Sequence, residues 1–299
     1  MSSFLLIGPT TKDLIIEKNT EHSSVGGAVY YQSFIFNSFN QDYSILTSLG
    51  KCDKDFINDF PVKSKIKCIL RSESLFFKNN YYDDNPNHRK QSSNFINNPI
   101  LDKDFKNINL NSYDCIILNP LVSTDIPLDT IEFLKNFNIP IALAIQGFLR
   151  CDLNGEVILK EFNDLEKLLN YIDMVFLDIN EAGIIFKNNL GLYDVMEKIA
   201  SYGPNEVIVT CGNNGSLIYS KKLNKHFKIP AYIPPIIKNP TGAGDTYMAS
   251  YLIKRFSGCD IEFSGKFAAM TSSIKISNLN NFDKKQEYVL NNMKLNKLL

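Results

Sequence analysis

The sequence predicts an α/β fold on an open, mostly parallel sheet, and three observations predict it. Short apolar runs recur at FLLIG (4–8), CIILNP (115–120), IPIALAI (139–145), MVFLD (174–178) and EVIVTCG (206–212), most closing on Gly, Asn, Asp or Pro. Helical spacing of apolar residues falls between them, at 26–38, 127–136, 161–171, 192–202, 243–257 and 261–277. Residues 64–97 break this rhythm and hold no helical pattern. Strands alternating with helices imply helices on both faces of a parallel sheet.

The elements are justified in order. FLLIG is apolar throughout, as a strand buried on both faces must be, and Gly8-Pro9 ends it. LIIEKN (14–19) is a short strand candidate, and Gly26-Gly27 opens the first helix. In 64–97 residues alternate, and Asp84-Asn85-Pro86-Asn87 is a turn signal. This stretch, with residues 13–25, reads as a small β lid outside the main sheet. It is either a decorative hairpin or a flap that excludes water from a site. The later runs are β-rich and separated by helices. In such sheets ligands collect at the carboxyl ends of the strands, where Asn119, Gln146, Asp178 and Thr210 fall.

Composition narrows the class. The 299 residues carry 32 Lys+Arg and 32 Asp+Glu, so no basic field points to nucleic acid and no acidic excess to a solvating tail. The 44% hydrophobic content is that of an ordinary globular chain. The N-terminal apolar run, Phe4 to Ile7, is too short for a signal peptide, and no run nears the ~20 apolar residues that span a bilayer. The six cysteines show no CxxC pair and the three histidines lie far apart. They read as reduced thiols of a cytoplasmic protein without a His-rich metal site.

The stretch NPTGAGDTYMASYLI (239–253) carries the chemistry. Thr241-Gly242-Ala243-Gly244-Asp245 runs straight into a helix, whose first N–H groups and positive dipole end suit an anion. A carboxylate beside an anion is repelled unless it has a task, such as taking a proton from an attacking hydroxyl. Asp245 read alone is equally an N-cap. The loop is not a Walker A motif, since no Gly-Lys-Ser/Thr follows, and Tyr247 spoils a dinucleotide fingerprint.

Asn239–Leu252 resembles the C-terminal signature of the PfkB (ribokinase-like) family of sugar and nucleoside kinases, D-T-x-G-A-G-D followed by a small-residue helix. Other landmarks follow the family's order. Gly26-Gly27 resembles its Gly-Gly substrate motif, and Asp13 its sugar-binding acidic residue. Asp178-Ile-Asn-Glu181 resembles N-x-x-E, and Thr210-Cys-Gly212-Asn-Asn-Gly215 resembles T-x-G-x-x-G. Phe267–Ser277 resembles the helix beside the adenine. The resemblance implies one ribokinase-like three-layer α/β/α domain over 1–299, with lid strands from about 13–25 and 64–97.

It also implies roles. Asp245 would be general base, and the amides of Gly242, Ala243 and Gly244 the anion hole. Thr210, Gly212, Gly215 and Thr241 would bind ATP, and Glu181 with Asp178 would hold Mg²⁺, chiefly through waters. Asp13, Gly26, Gly27, Tyr31, Arg89, Gln146 and Arg150 would face the acceptor, an alcohol of a sugar or polyol, inositol-like included. Gln146-Gly147-Phe148-Leu149-Arg150 follows a strand and reads either as hydroxyl or phosphate recognition or as a plain loop.

Departures from the pattern are Asn239 for Asp, which weakens the inference of a monovalent-cation site nearby, Asp178 for Asn, Ala28-Val29-Tyr30-Tyr31 after the glycines, and Asn280-Asn281 for a Gly. They keep two other readings open, a nucleoside kinase and a non-catalytic ligand sensor on the same fold. Phe76-Phe77 with Tyr81-Tyr82 reads as lid packing or as the face of a homodimer joined through the lid.

Overall fold

The structure, a computed structural model, describes residues 2–17, 20–81, 89–185 and 190–296, with the side chains of Glu17, Tyr81 and Arg89 outside that description. The apolar runs become strands β1 (Ser3–Ile7), β8 (Cys115–Leu118), β9 (Ile141–Ala144), β12 (Met174–Asp178) and β13 (Glu206–Thr210). With β4 (Asp42–Gly50), β5 (Ile66–Arg71), β14 (Ser216–Ser220) and β15 (Lys225–Ile229) they form a nine-stranded sheet of order β15-β14-β13-β12-β9-β8-β1-β4-β5. From β13 to β5 every pairing is parallel; β14 and β15 add an antiparallel edge.

The two-residue period of each strand divides the core. Phe4 and Leu6 pack on one side of β1, Leu5 and Ile7 on the other. The first side takes α1 (Ala28–Ser38), α7 (Ala243–Phe256), α8 (Ile261–Ile276) and α9 (Gln286–Leu295). The second takes α2 (Leu128–Lys135), α4 (Leu165–Leu169), α5 (Ile179–Ile185) and α6 (Leu192–Ser201). The loop of residues 8–10 and a short α3 (Gln146–Leu149) sit at the carboxyl ends of β1 and β9. The result is the three-layer α/β/α sandwich. Among the described residues no helix is long and apolar enough to cross a membrane.

A second, six-stranded sheet has the order β10-β11-β7-β6-β2-β3. Its strands are β2 (Thr11–Glu17), β3 (Thr20–Gly26), β6 (Leu75–Tyr81), β7 (Arg89–Ser93), β10 (Arg150–Leu153) and β11 (Glu156–Leu159). Leu75 and Phe77 root it on Leu121 and Val122, in the loop after β8. Asp13 pairs with Phe77, and Asn79 with Gln91, so these four residues share one face of the lid.

Four features depart from the sequence reading. β5 extends the main sheet beside β4, so the stretch 64–97 is lid only from Leu75 onward. β4 carries Thr47 and Ser48 in the interior, and this polarity masked a central strand; Thr47 Oγ1 bonds Thr10 Oγ1 at 2.8 Å. β10 and β11 join the lid from far along the chain, and helix 161–171 shortens to 165–169. The turn signal at 84–87 lies outside the described residues.

Candidate active site

Pro240–Ala243 forms a four-residue turn closed by the Ala243 N–H donating to the Pro240 C=O at 3.1 Å. Gly242 takes φ 77°, ψ 11°, the third position of a type II turn. A Cβ there would stand 2.5 Å from Cγ of Tyr31, so glycine is required twice over, for the backbone and for the ring. The Thr246 N–H then donates to the Gly242 C=O and α7 begins. Among the described residues the N–H groups of Gly242 and Gly244 carry no partner. These two amides are therefore the open donors of the turn, and the expectation for Ala243 is corrected: closing the turn consumes its donor.

Asp245 is the third residue of α7 and lines the same cleft as the two amides, together with Thr241, Ala243 and Met248. The cleft has a volume of about 880 Å³. It runs between the carboxyl ends of β9, β12 and β13 and the lid, where Gln91, Val157 and Leu159 close it.

Asp178 and Glu181 stand opposite, at the start of α5. Asp178 Oδ1 accepts from the N–H groups of Asn180 (2.8 Å) and Glu181 (2.9 Å), while Glu181 Oε2 accepts from the Asp178 N–H at 2.8 Å. This reciprocal cap satisfies the helix start. It leaves Asp178 Oδ2 and Glu181 Oε1 for other partners. Burial, then the charge of Asp178 and, more weakly, of Asp245, push the Glu181 carboxyl up to about 7. A cation would relieve that crowding of negative charge. Among the described residues no three His, Cys, Asp or Glu side chains group closely enough to hold an ion by themselves. The donor set fits a hydrated Mg²⁺ touching protein through waters and shared with a bound phosphate, and does not fit a directly caged one.

Thr210 ends β13, and Cys211, Gly212 and Asn213 continue along the cleft. Gly215 does not line it. Its φ is +86°, and a Cβ would meet the Ile229 carbonyl oxygen at 2.0 Å, so this glycine serves the close approach of β15.

Of the residues expected to face an acceptor, Gln146 opens α3 and Arg150 opens β10; both line the cleft, with the guanidinium 5.5 Å from the centre of the Phe77 ring. Asp13 is buried in β2 and accepts from Thr11 Oγ1 at 2.7 Å. Gly26 packs against its carboxylate, and Gly27, at φ 101°, leads into α1 past the Pro9 carbonyl. Asp13, Gly26 and Gly27 lie outside the cleft lining. Tyr31 is also outside it, with its ring against Gly242. Arg89 opens β7, and its side chain falls outside the described residues. Asn119, expected at a ligand-facing strand end, is buried in a reciprocal amide pair with Gln32, both bonds 2.9 Å.

Gln91 reads from the sequence either as a lid residue that meets substrate or as decoration of an exposed strand, and two further groups, Asp125 and Lys275, escape that reading. Gln91 reaches the cleft while its Nε2 donates to Asn79 Oδ1 at 2.8 Å. Asp125 is buried with Oδ2 accepting from the N–H groups of Leu121 and Val122, and burial pushes its carboxyl up to about 7. Lys275, on α8, is 2% exposed, and burial lowers its ammonium to about 8 against the opposing pull of Asp245. No motif assigns any of them a role, because each matters through a tertiary neighbour.

Comparison with known proteins agrees with this layout. The family model for pfkB family carbohydrate kinases matches residues 81–282. A nucleoside kinase of Methanothermobacter thermautotrophicus is 33% identical over 112 residues, 37% of this chain and 34% of that protein. The match thus spans about a third of that relative's length. Among solved structures, a pyrophosphate-dependent ribokinase-family kinase complexed with a pyrophosphate analogue and myo-inositol superposes with TM-score 0.80 at 21% identity, covering 97% of this chain and 99% of the other. The Arabidopsis thaliana ribokinase complexed with ribose and ATP gives TM-score 0.78 at 15% identity, over 98% and 99%. The fold is that of the ribokinases, and with the family model covering more than half of its length the chain belongs to the pfkB family of carbohydrate kinases.

Proposed function

We propose that this protein transfers the γ-phosphoryl group of ATP to a hydroxyl of a sugar or polyol, with an inositol-like cyclitol as a leading acceptor. The observation that carries the reading is the pair of unpartnered amides at Gly242 and Gly244 opening on the cleft that Asp245 lines. In this reading Asp245 takes the hydroxyl proton as the hydroxyl oxygen attacks the γ-phosphorus and the bond to the β-γ bridging oxygen breaks. The two amides stabilise the charge on the transferring phosphoryl oxygens. Thr210 to Asn213 and Thr241 line the donor groove. Gln91, Gln146 and Arg150 orient the acceptor beneath the lid, and Asp13 with Gly26-Gly27 backs it. Mg²⁺, held through water at Asp178 and Glu181, would supply neutralisation of phosphate charge. The setting would be cytoplasmic.

A second reading concerns the donor. Ile233, Ile236, Ile237 and Leu279 are exposed and none of them lines the cleft. A nucleotide base would have to rest outside the cleft, against exposed side chains such as these, whereas pyrophosphate needs no such platform, and this makes it the alternative donor. An assay crossing ATP, GTP and pyrophosphate with myo-inositol, ribose and inosine tests both readings. Turnover with ATP and a polyol supports the first, and turnover with pyrophosphate alone replaces the donor. Transfer to inosine alone makes it a nucleoside kinase. Binding without transfer in every combination leaves a ligand sensor.

A further inference from the structure

Lys275 lies in the Phe267–Ser277 helix stretch with no role of its own in the sequence reading, yet its ammonium is placed against the backbone of the turn that opens α7. Nζ donates to the Asn239 carbonyl at 3.0 Å and, by a short bond, to the Thr241 carbonyl. The Tyr31 ring lies beneath it, 5.7 Å to the centroid. Burying an ammonium costs free energy unless its hydrogen bonds are good. Its hydrogen bonds go to two main-chain oxygens, with the charge of Asp245 acting on it from nearby.

The identity of those oxygens matters. The Thr241 C=O and the Gly242 N–H are the two ends of one planar trans peptide, so they point in opposite directions. Type I and type II turns differ by a flip of this central peptide, which reverses both groups. Holding the Thr241 oxygen on Lys275 holds the Gly242 N–H on the other side. The Asn239 carbonyl precedes Pro240, which has no N–H, so the second bond fixes the entry to the turn.

We propose that Lys275 is the positioning residue of the anion cradle: by bridging the carbonyls of Asn239 and Thr241 it keeps the turn in the form that presents the Gly242 amide to phosphate. The inference rests on the phosphotransfer reading for its catalytic consequence, but anion binding tests it independently. Removing the ammonium takes the shared donor from two part-buried carbonyl oxygens. A small monovalent cation from solution is its chemical replacement.

The experiment compares the parent, Lys275→Met and Lys275→Arg. Each is titrated with pyrophosphate and with ATP in sodium, potassium or ammonium buffer, with thermal melting alongside and turnover measured wherever the parent shows it. The parent is expected to be indifferent to the cation. Lys275→Met is expected to bind pyrophosphate about tenfold or more weakly in sodium, and ammonium or potassium should recover most of that loss. Where turnover is present, kcat should fall about a hundredfold with the acceptor KM little changed. Lys275→Arg keeps a charge but moves it off the two oxygens. It serves if the Met variant does not fold, and weaker pyrophosphate binding at an unchanged melting temperature supports the proposal. Parent-like binding in both variants overturns it, as does a loss that no cation recovers and that a lower melting temperature accompanies. A parent that binds pyrophosphate but transfers phosphate to nothing removes the kinase reading and leaves this one to the titrations. A parent that binds neither anion removes both.

Discussion

The carboxylate of Asp13 fills the space that a side chain at Gly26 would need: a Cβ there would stand 2.3 Å from Asp13 Oδ2 and 2.6 Å from Thr11 Oγ1. The glycine, the threonine and the aspartate thus form one unit at the root of the lid, where β2 and β3 pair with Thr11 opposite Gly26.

Gly26→Ala should push that carboxylate out of place while leaving the donor side alone. We expect kcat/KM for the acceptor to fall about tenfold or more with donor binding unchanged, since small misplacements near reacting groups cost at least that much. Steady-state kinetics with the acceptor varied checks it. An unchanged acceptor constant would detach Asp13 from acceptor binding.

Asp245→Asn should keep the fold and donor affinity and lose turnover by about two to four orders of magnitude, the range a positioned general base supplies. Isothermal titration and single-turnover kinetics on the same sample separate the two effects. Near-normal turnover removes Asp245 from the mechanism.

Glu181 makes a prediction about stability against pH. Its carboxyl is raised to about 7 from an ordinary 4.5, so the folded state binds the proton more tightly than the unfolded chain does. Stability attached to this group is present below about pH 4.5 and is lost as pH rises through about 7. The loss is on the order of 3 kcal/mol. Glu181→Gln keeps the helix cap and removes the titration. Denaturant unfolding between pH 4 and 8 should show the variant gaining on the parent as pH rises. Parallel curves would refute the assignment. Asp125 titrates in the same sense, which is why the difference between the two proteins is the quantity to read.

Gly215→Ala separates fold from donor binding. The position combines a left-handed backbone with a carbonyl oxygen 2.0 Å from any Cβ. We expect about 2–4 kcal/mol of destabilisation from strain and displaced backbone. The donor KM of the fraction that remains folded should be nearly unchanged. A large rise in donor KM at parental stability would return Gly215 to the nucleotide site.

Much of this molecule is legible in one dimension because its signals are local. Continuous apolar runs such as FLLIG mark strands buried on both faces, and 3.6-residue spacing marks α1, α7 and α8. The Gly-Ala-Gly-Asp turn announces a helix start with bare amides before any coordinate is known. β4 was hidden because it buries two polar side chains, Thr47, whose hydroxyl bonds the distant Thr10, and Ser48, and nothing nearby in sequence reveals that burial. β5 alternates like a lid strand, and only its parallel pairing with β4 assigns it to the main sheet.

The sequence by itself determined the sandwich, part of the lid and the place of the glycine turn that opens α7, since each follows from periodicity or from what a glycine backbone allows. Tertiary structure alone decided which donors in that turn stay open. Ala243 spends its N–H on Pro240, and Lys275, 34 residues beyond Thr241, anchors the opposite end of the Gly242 peptide. The physical reason is that an amide is available or consumed according to its partner in space, and a buried charge acts on whichever oxygens the packing brings to it.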